Sequence, residues 1–332
     1  MLTRSPKPAV AGKCNVWSDI TMDQHAFSLV IVSDYAPGRS KGWQDLRKMM
    51  SALAAQDQGE AVEFIYVEHP DVARGFPEDL KAVLPRFRMV LESSPTSYGL
   101  RNAGVRAAAT PWVAMLDADC LPGPGWLQRV ARSIRANQSA AVISGRTRYP
   151  GLGLMERILA LLARSYPDRG KAGRTEFIAA HQCVFQREAY LQCPLPTGAG
   201  VYSARVQSEM MLRRGKVLWF DPLLECIHDY EGWSMERDIR RNTGHCTVLV
   251  RQHDPSLPYS WLVRLGPAAI PAIVVGKTWL SWMDCLRCAP HYGVSWWQLP
   301  LALAVSVWVH LLEIEGMWKA FRGLPITDTA YR

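Results

Sequence analysis

The stretch Trp112-Val-Ala-Met-Leu-Asp-Ala-Asp-Cys-Leu-Pro122 decides the fold. Trp112 to Leu116 is a short apolar run with the length of a buried strand, and two carboxylates, Asp117 and Asp119, follow at i and i+2. Pro122 and Pro124 then stop the chain ahead of a helix that starts at Trp126. Such a pair after a strand can hold a hard divalent cation, and a cation there can neutralise a diphosphate. A lone D-x-D is common by chance; its position between a buried strand and a proline-marked turn gives it weight.

Upstream, the same strand-to-helix rhythm repeats. Strand runs over Phe27–Ser33, Val62–Val67 and Arg88–Leu91 alternate with helical patterns over Trp43–Ala55, Pro77–Leu84 and Tyr98–Ala109. This alternation predicts right-handed βαβ units and an α/β, Rossmann-like, mainly parallel mixed sheet with flanking helices. Ligands of such sheets bind at the carboxyl ends of the strands. The residues placed there are Ser33, Asp34 and Tyr35, then Glu68 and His69, then Asp117 and Asp119. Any one of these acids could be a helix cap or turn former; together, on one edge, they mark a site. No G-x-G-x-x-G or G-x-x-x-x-G-K-[ST] loop follows any strand, so a glycine-rich phosphate cradle is not expected.

At these residues the chain resembles the family 2 glycosyltransferases of the GT-A fold, from about Phe27 to His228. Leu116-Asp-Ala-Asp-Cys-Leu-Pro122 is similar to the family's LDADD-x-x-P signature, with Cys120 in place of the third acid. Glu68 falls where the family commonly has a nucleobase-contacting Asp, and Val32-Ser33-Asp34-Tyr35 stands for its usual Pro-x-Tyr-Asn. Gly99-Leu-Arg-Asn-Ala-Gly-Val105 resembles the stretch near the donor. Ala179-Ala-His-Gln-Cys-Val-Phe-Gln-Arg-Glu-Ala189 resembles the acceptor-side strand and helix start, and Gly215 to Pro222 with Cys226-Ile-His228 resembles the closing strand and its histidine.

The resemblance implies a nucleotide-sugar donor bound by Ser33, Asp34, Glu68, Arg101, Asn102 and Asp117. It implies Mg²⁺ or Mn²⁺ on Asp119 and His228, and inversion at the anomeric carbon by direct displacement. Arg101, or Arg213 and Arg214, are further candidates to assist the diphosphate. The family's acidic pair ahead of the closing strand is missing; Glu209, six residues before Gly215, is the one acid there and the candidate base. An exposed helix glutamate is the plain alternative for Glu209. With no Gln-x-x-Arg-Trp in the chain, single-sugar transfer is expected rather than processive synthesis.

Composition bounds the rest. The 332 residues carry 38 Lys plus Arg against 30 Asp plus Glu, a formal charge of +8, with 48% hydrophobic residues, which excludes disorder. The basic excess forms no single stripe with interleaved aromatics, so nucleic acid is not an expected partner. Eight cysteines, mostly single in apolar surroundings, read as reduced buried thiols; Cys285-x-x-Cys288 with His291 lacks a second pair to complete a zinc site. No apolar stretch follows Arg4 and Lys7, so a cleaved signal is not expected.

Three regions follow: an arm over 1–26, the GT-A domain over 27–255, and an apolar helical region over 256–332. Seven of the thirteen Trp fall in the last quarter, beside apolar stretches Leu262–Met283 and Trp296–Leu312. These read as a membrane hairpin or as interfacial helices with Lys277 snorkelling; the soluble alternative is a helical subdomain covered by the main domain. The basic Lys319 and Arg322 favour the cytoplasmic face of the inner membrane, and hence a lipid-linked or cell-envelope polysaccharide acceptor. A non-catalytic sugar-nucleotide or glycan-binding scaffold of a membrane-bound assembly pathway is the competing reading.

Overall fold

The computed structural model describes residues 26–33, 43–56, 62–84, 87–151, 153–168, 170–229 and 232–326. The expected N-terminal arm (but for Ala26) and Asp34 lie outside the described residues. In chain order the elements are β1 (Phe27–Val32), α1 (Gln44–Ala54), β2 (Val62–Glu68), α2 (Pro70–Ala73), β3 (Phe87–Leu91), α3 (Ser97–Ala107), β4 (Trp112–Asp117), β5 (Cys120–Pro122) and α4 (Trp126–Ala136). Then come β6 (Val142–Arg148), α5 (Leu154–Arg164), β7 (Gly173–Arg174), β8 (Gln182–Gln186), α6 (Arg187–Gln192), α7 (Ser203–Arg213) and β9 (Leu218–His228). The remainder is helical: α8 (Trp233–His253), α9 (Ser260–Val263), α10 (Ile270–Cys288), α11 (Leu299–Leu311) and α12 (Ile314–Phe321).

The strands form one mixed sheet in the order β3-β2-β1-β4-β8-β6-β9-β5, with β7 on β9. The first four run parallel, as the alternating pattern predicts, and β8 enters antiparallel between β4 and β6. One expected helix is smaller than its pattern: Pro77–Leu84 yields a short 3₁₀ segment, Glu78–Ala82, with Leu80 buried inside it and Leu84 just beyond it.

Each face of the sheet is covered by apolar packing. Leu46, Met50 and Leu53 of α1 with Trp126, Leu127 and Val130 of α4 close one face; α3 with Tyr190 and Met211 closes the other. The approach of α3 is close because Gly104 meets β1: a Cβ there would sit 2.4 Å from Val30 Cγ1. Two further clusters tie the C-terminal helices to this body. Ile158 and Leu161 of α5 pack with Cys285, Tyr292, Ala302 and Val309, and Val248 of α8 packs with Ile273 of α10 and Met317 of α12.

Candidate active site

The strand order turns back at the β1/β4 pair, the place where an open α/β sheet leaves a crevice at its strand ends. Val32 is in register with Asp117, and Ala118 N–H donates to the Val32 carbonyl at 2.9 Å, so the chain after both strands leaves from one edge. Asp117 is 1% exposed and forms a buried ion pair with Arg101, which α3 carries beneath the end of β4. Its backbone N–H donates to the His181 carbonyl at 3.1 Å, fixing the loop that leads into β8.

Two residues further on, β5 pairs antiparallel with β9 and sets Cys120 opposite His228. This pairing brings His228 Nε2 to 3.6 Å from Asp119 Oδ2. The Nδ1–H of His228 donates to the Asp229 carbonyl at 2.8 Å, and Nε2 is the ring nitrogen that faces Asp119. One ligand atom each from Asp119, Cys120 and His228 lies within 4.8 Å of the others. An imidazole nitrogen and a carboxylate side by side are donor types that fit a divalent metal. Burial pushes the Cys120 thiol well up, and it neighbours Cys226, so the sulfur is a neutral third donor unless a metal binds it.

Beside this trio opens a cavity of about 360 Å³. Arg101, Asp117, His181 and His228 line its strand-end side, and Tyr149, Arg164, Tyr166 and Phe177 its middle. His181 is buried there. Thr147 Oγ1 donates to Gln182 Oε1 (3.1 Å) and so accepts from His181 Nε2 (2.7 Å), leaving Nδ1 as the acceptor. Burial, followed by the charges of Arg164, His228 and Arg101, holds the imidazole well below its usual range and therefore neutral.

The far side is built by the C-terminal helices. Glu236 and Arg240 of α8, Lys277, Ser281 and Asp284 of α10, His310 of α11 and Glu313 all line the cavity. Glu313 is fully buried and ion-paired to Lys277; His310 Nδ1 donates to it at 3.0 Å, and Arg240 approaches to 3.7 Å. Burial alone would push the Glu313 carboxyl up, but Lys277, His310 and Arg240 hold it down at about 2. Burial keeps His310 below its usual range, so it stays neutral with Nε2 accepting from Ser281 at 2.8 Å. Gly244 of α8 and Gly316 of α12 make the helix crossing possible: a Cβ on either would fall 2.0 Å or less from a backbone carbonyl oxygen of the other segment.

Of the sequence-predicted residues, the structure brings Arg101, Asp117 and His228 to the cavity wall and Asp119 beside His228. Ser33 is half-buried at the end of β1. Glu68 is buried off the cavity, accepting from Tyr66 OH and His69 N–H at 2.7 Å each. Asn102 ties α3 to the loop after α6: its Nδ2 donates to the Leu195 carbonyl, and its Oδ1 accepts from Tyr190 OH and Leu195 N–H. Glu209 is not among the cavity-lining residues and sits between Arg205 (3.9 Å) and Arg213 (3.5 Å). Lys277 is a correction: it does not snorkel outward but turns inward, because Glu313 offers a buried counter-charge that solvent would not better. Cys285 and Cys288 are buried, with the Cys285 thiol pushed up to about 12 by burial.

Fold and site together define a GT-A-type α/β enzyme whose ligand edge pairs a D-x-D with a closing-strand histidine. The glycosyl transferase family 2 model matches residues 39–192, so the chain carries a family 2 glycosyltransferase domain, which supports glycosyl transfer from a nucleotide-sugar donor. A mannosyltransferase from Pyrobaculum calidifontis, solved in complex with GDP-Man and Mn²⁺, has the same fold: TM-score 0.50 and 16% identity, covering 89% of this chain and 84% of that one. No curated protein is significantly similar to the chain.

Proposed function

We propose that the protein transfers a hexosyl unit from a nucleoside-diphosphate donor, with a divalent metal and with inversion, to a lipid-linked or cell-envelope polysaccharide acceptor at the cytoplasmic face of the inner membrane. The observation that carries the reading is the Asp119, Cys120, His228 trio, whose His228 also lines the cavity. Mg²⁺ or Mn²⁺ on Asp119 and His228 would supply charge stabilisation for the departing diphosphate; the Mn²⁺ in the structural relative accords with this. Asp117, held by Arg101, presents a fixed carboxylate to the donor's hydroxyls, and neutral His181 and Tyr149 bound the space and exclude water.

The acceptor's proton needs a carboxylate. Glu209 fills this role if it parts from Arg205, whose guanidinium already lines the cavity. Asp284 is the acid that lines the cavity with 30% of its side chain exposed. The position of Glu209 also favours the second reading, a non-catalytic donor-binding scaffold.

Membrane contact rests on the surface. Among the described residues, fifteen of the twenty exposed large apolar side chains fall between Tyr259 and Leu324, including Trp261, Trp279, Trp296, Trp297, Trp308 and Trp318. The run Trp296–Phe321 is long and apolar enough to cross a bilayer. We read it as lying on the membrane, because α11 spans 13 residues, about 20 Å, and the buried Glu313 cluster pins its end to the main body. Co-sedimentation with anionic vesicles, reduced in Trp296→Ser/Trp297→Ser, tests this.

Purified protein incubated with UDP-, GDP- and TDP-hexoses, with Mn²⁺ or with EDTA, tests the activity. Metal-dependent release of nucleoside diphosphate is expected, water replacing the acceptor. Glu209→Gln and Asp284→Asn separate the two bases. Tight donor binding without turnover for any donor, in the presence of membranes, supports the scaffold instead.

A further inference from the structure

The cations lining the cavity are Arg101, Arg164, Arg205, Arg240 and Lys277. Four of them have carboxylate partners: Asp117, Glu209, Glu236 and Glu313 respectively, if Arg164 is set aside. Arg164, the last residue of α5, has none within ion-pair distance among the described residues. Its Nη1 donates a long hydrogen bond, 3.4 Å, to His181 Nδ1, and its guanidinium lies over the Tyr149 ring at 5.6 Å. Its Nε is buried without a hydrogen-bond partner. A planar cation with five donors, met by Tyr149 and one weak imidazole acceptor and with its Nε unmatched, has no full counter-charge in ion-pair contact, which is costly in a buried site unless an anion supplies it. The neutral state of His181 means the imidazole neither repels this guanidinium nor competes for the anion. The helix end adds acceptor carbonyls, not an anion, so nothing else on α5 answers it.

We infer that Arg164 binds a phosphate oxyanion of the substrate beside the Asp119–His228 pair, as a fork presenting parallel N–H donors. The inference rests on the proposed glycosyl transfer and deepens it. It assigns the role to a residue that the D-x-D motif does not contain, while Arg101, the sequence's candidate for the diphosphate, is committed to Asp117. Asp119 is near enough for its charge to act on Arg164, so an anion bound there also adjoins the metal-capable trio. Two sources offer this chemistry: the diphosphate of the donor, or the phosphate of an amphipathic acceptor entering from the apolar C-terminal surface.

Calorimetric titration of the full chain in detergent with Mn²⁺ distinguishes them. The probes are GDP, UDP, and decyl phosphate with or without nucleotide, on the unchanged protein, Arg164→Lys and Arg164→Gln. Arg164→Gln is expected to weaken at least one probe by about ten- to a hundredfold, the range of a lost charge-assisted pair. Arg164→Lys, with the charge but not the fork, is expected to retain part of that affinity. Loss confined to the nucleotides assigns Arg164 to the donor diphosphate; loss confined to decyl phosphate assigns it to an acceptor phosphate. Equal affinities in Arg164→Gln and the unchanged protein overturn the inference while leaving the proposed function standing. An unchanged protein that binds decyl phosphate through Arg164 but neither nucleotide defeats the function and keeps the inference; binding of none of the probes defeats both. Should Arg164→Gln fail to fold, undiminished affinity in Arg164→Lys for every probe is the overturning result.

Discussion

Replacing Glu313 by glutamine keeps the side chain's shape and removes the one anion at the centre of the C-terminal cluster. Arg240 retains Glu236 at 2.6 Å, so the charge left without a partner is Lys277, whose side chain is 20% exposed. Removing one partner of a buried pair costs about 3–5 kcal/mol. Lys277 could escape by losing its proton, but doing so at pH 7 costs roughly 1.4 kcal/mol for each of about 3.4 units, near the top of the same range. The two routes therefore agree on about 3–5 kcal/mol. With unfolding entropy of about 2.1 cal/mol/K per residue, a chain of this length loses about 0.7 kcal/mol per kelvin, which converts the cost to a fall in Tm of about 4–7 °C. Thermal and urea melts in detergent measure it. Adding Lys277→Met to Glu313→Gln is expected to recover much of the loss, because neither charge is then stranded. A loss under about 1 kcal/mol, or a double variant no more stable than the single, would refute the buried pairing.

Gly316→Ala places a Cβ 1.9 Å from the Arg241 carbonyl oxygen, a backbone atom that cannot step aside, so α8 and α12 are expected to separate at a cost of about 1–3 kcal/mol; Gly276→Ala in α10, with nothing within 4 Å, is expected to be neutral or stabilising in the same melt. His181 supplies a pH dependence. Its folded imidazole is held well below the usual 6.5 and the unfolded one is not, so the unfolded state takes up the proton first and stability falls as pH drops below about 6.5. The slope from this group approaches about 1.4 kcal/mol per pH unit, and urea midpoints at pH 7.5 and 5.5 should lie closer together in His181→Gln than in the unchanged protein, with His310, also held below its usual range, supplying part of the remainder.

How much of this was legible in the sequence follows from where each signal lies. β1, β2 and β4 read as apolar runs because each is buried on both faces, and Asp117, Asp119 and His228 read because strand ends hold ligands and a known motif names them. The cavity's far wall did not. Lys277 stands out only as a charge within an apolar stretch, and its partner Glu313 lies 36 residues away on another element, a pairing no periodicity encodes. A charged residue inside an apolar helix was the available hint, since it must either reach water or find a buried counter-charge. Arg164 carries no signal of its own in the sequence, and only the fold puts it near Asp119. Asn102 and Glu68 matched the motif by position, while their hydrogen bonds to Leu195, Tyr66 and His69 depend on loops whose course the pattern does not give.

The central claim is a metal-assisted nucleotide-sugar site at the ends of β4 and β9. Its most direct test is calorimetric titration of the full chain with GDP, UDP, TDP and CDP, each with and without Mn²⁺, repeated on Asp119→Ala. One nucleotide is expected to bind only with Mn²⁺, and its binding to disappear in Asp119→Ala while the variant keeps its melting temperature. Absence of binding for all four, or metal-dependent binding that survives Asp119→Ala, would contradict it.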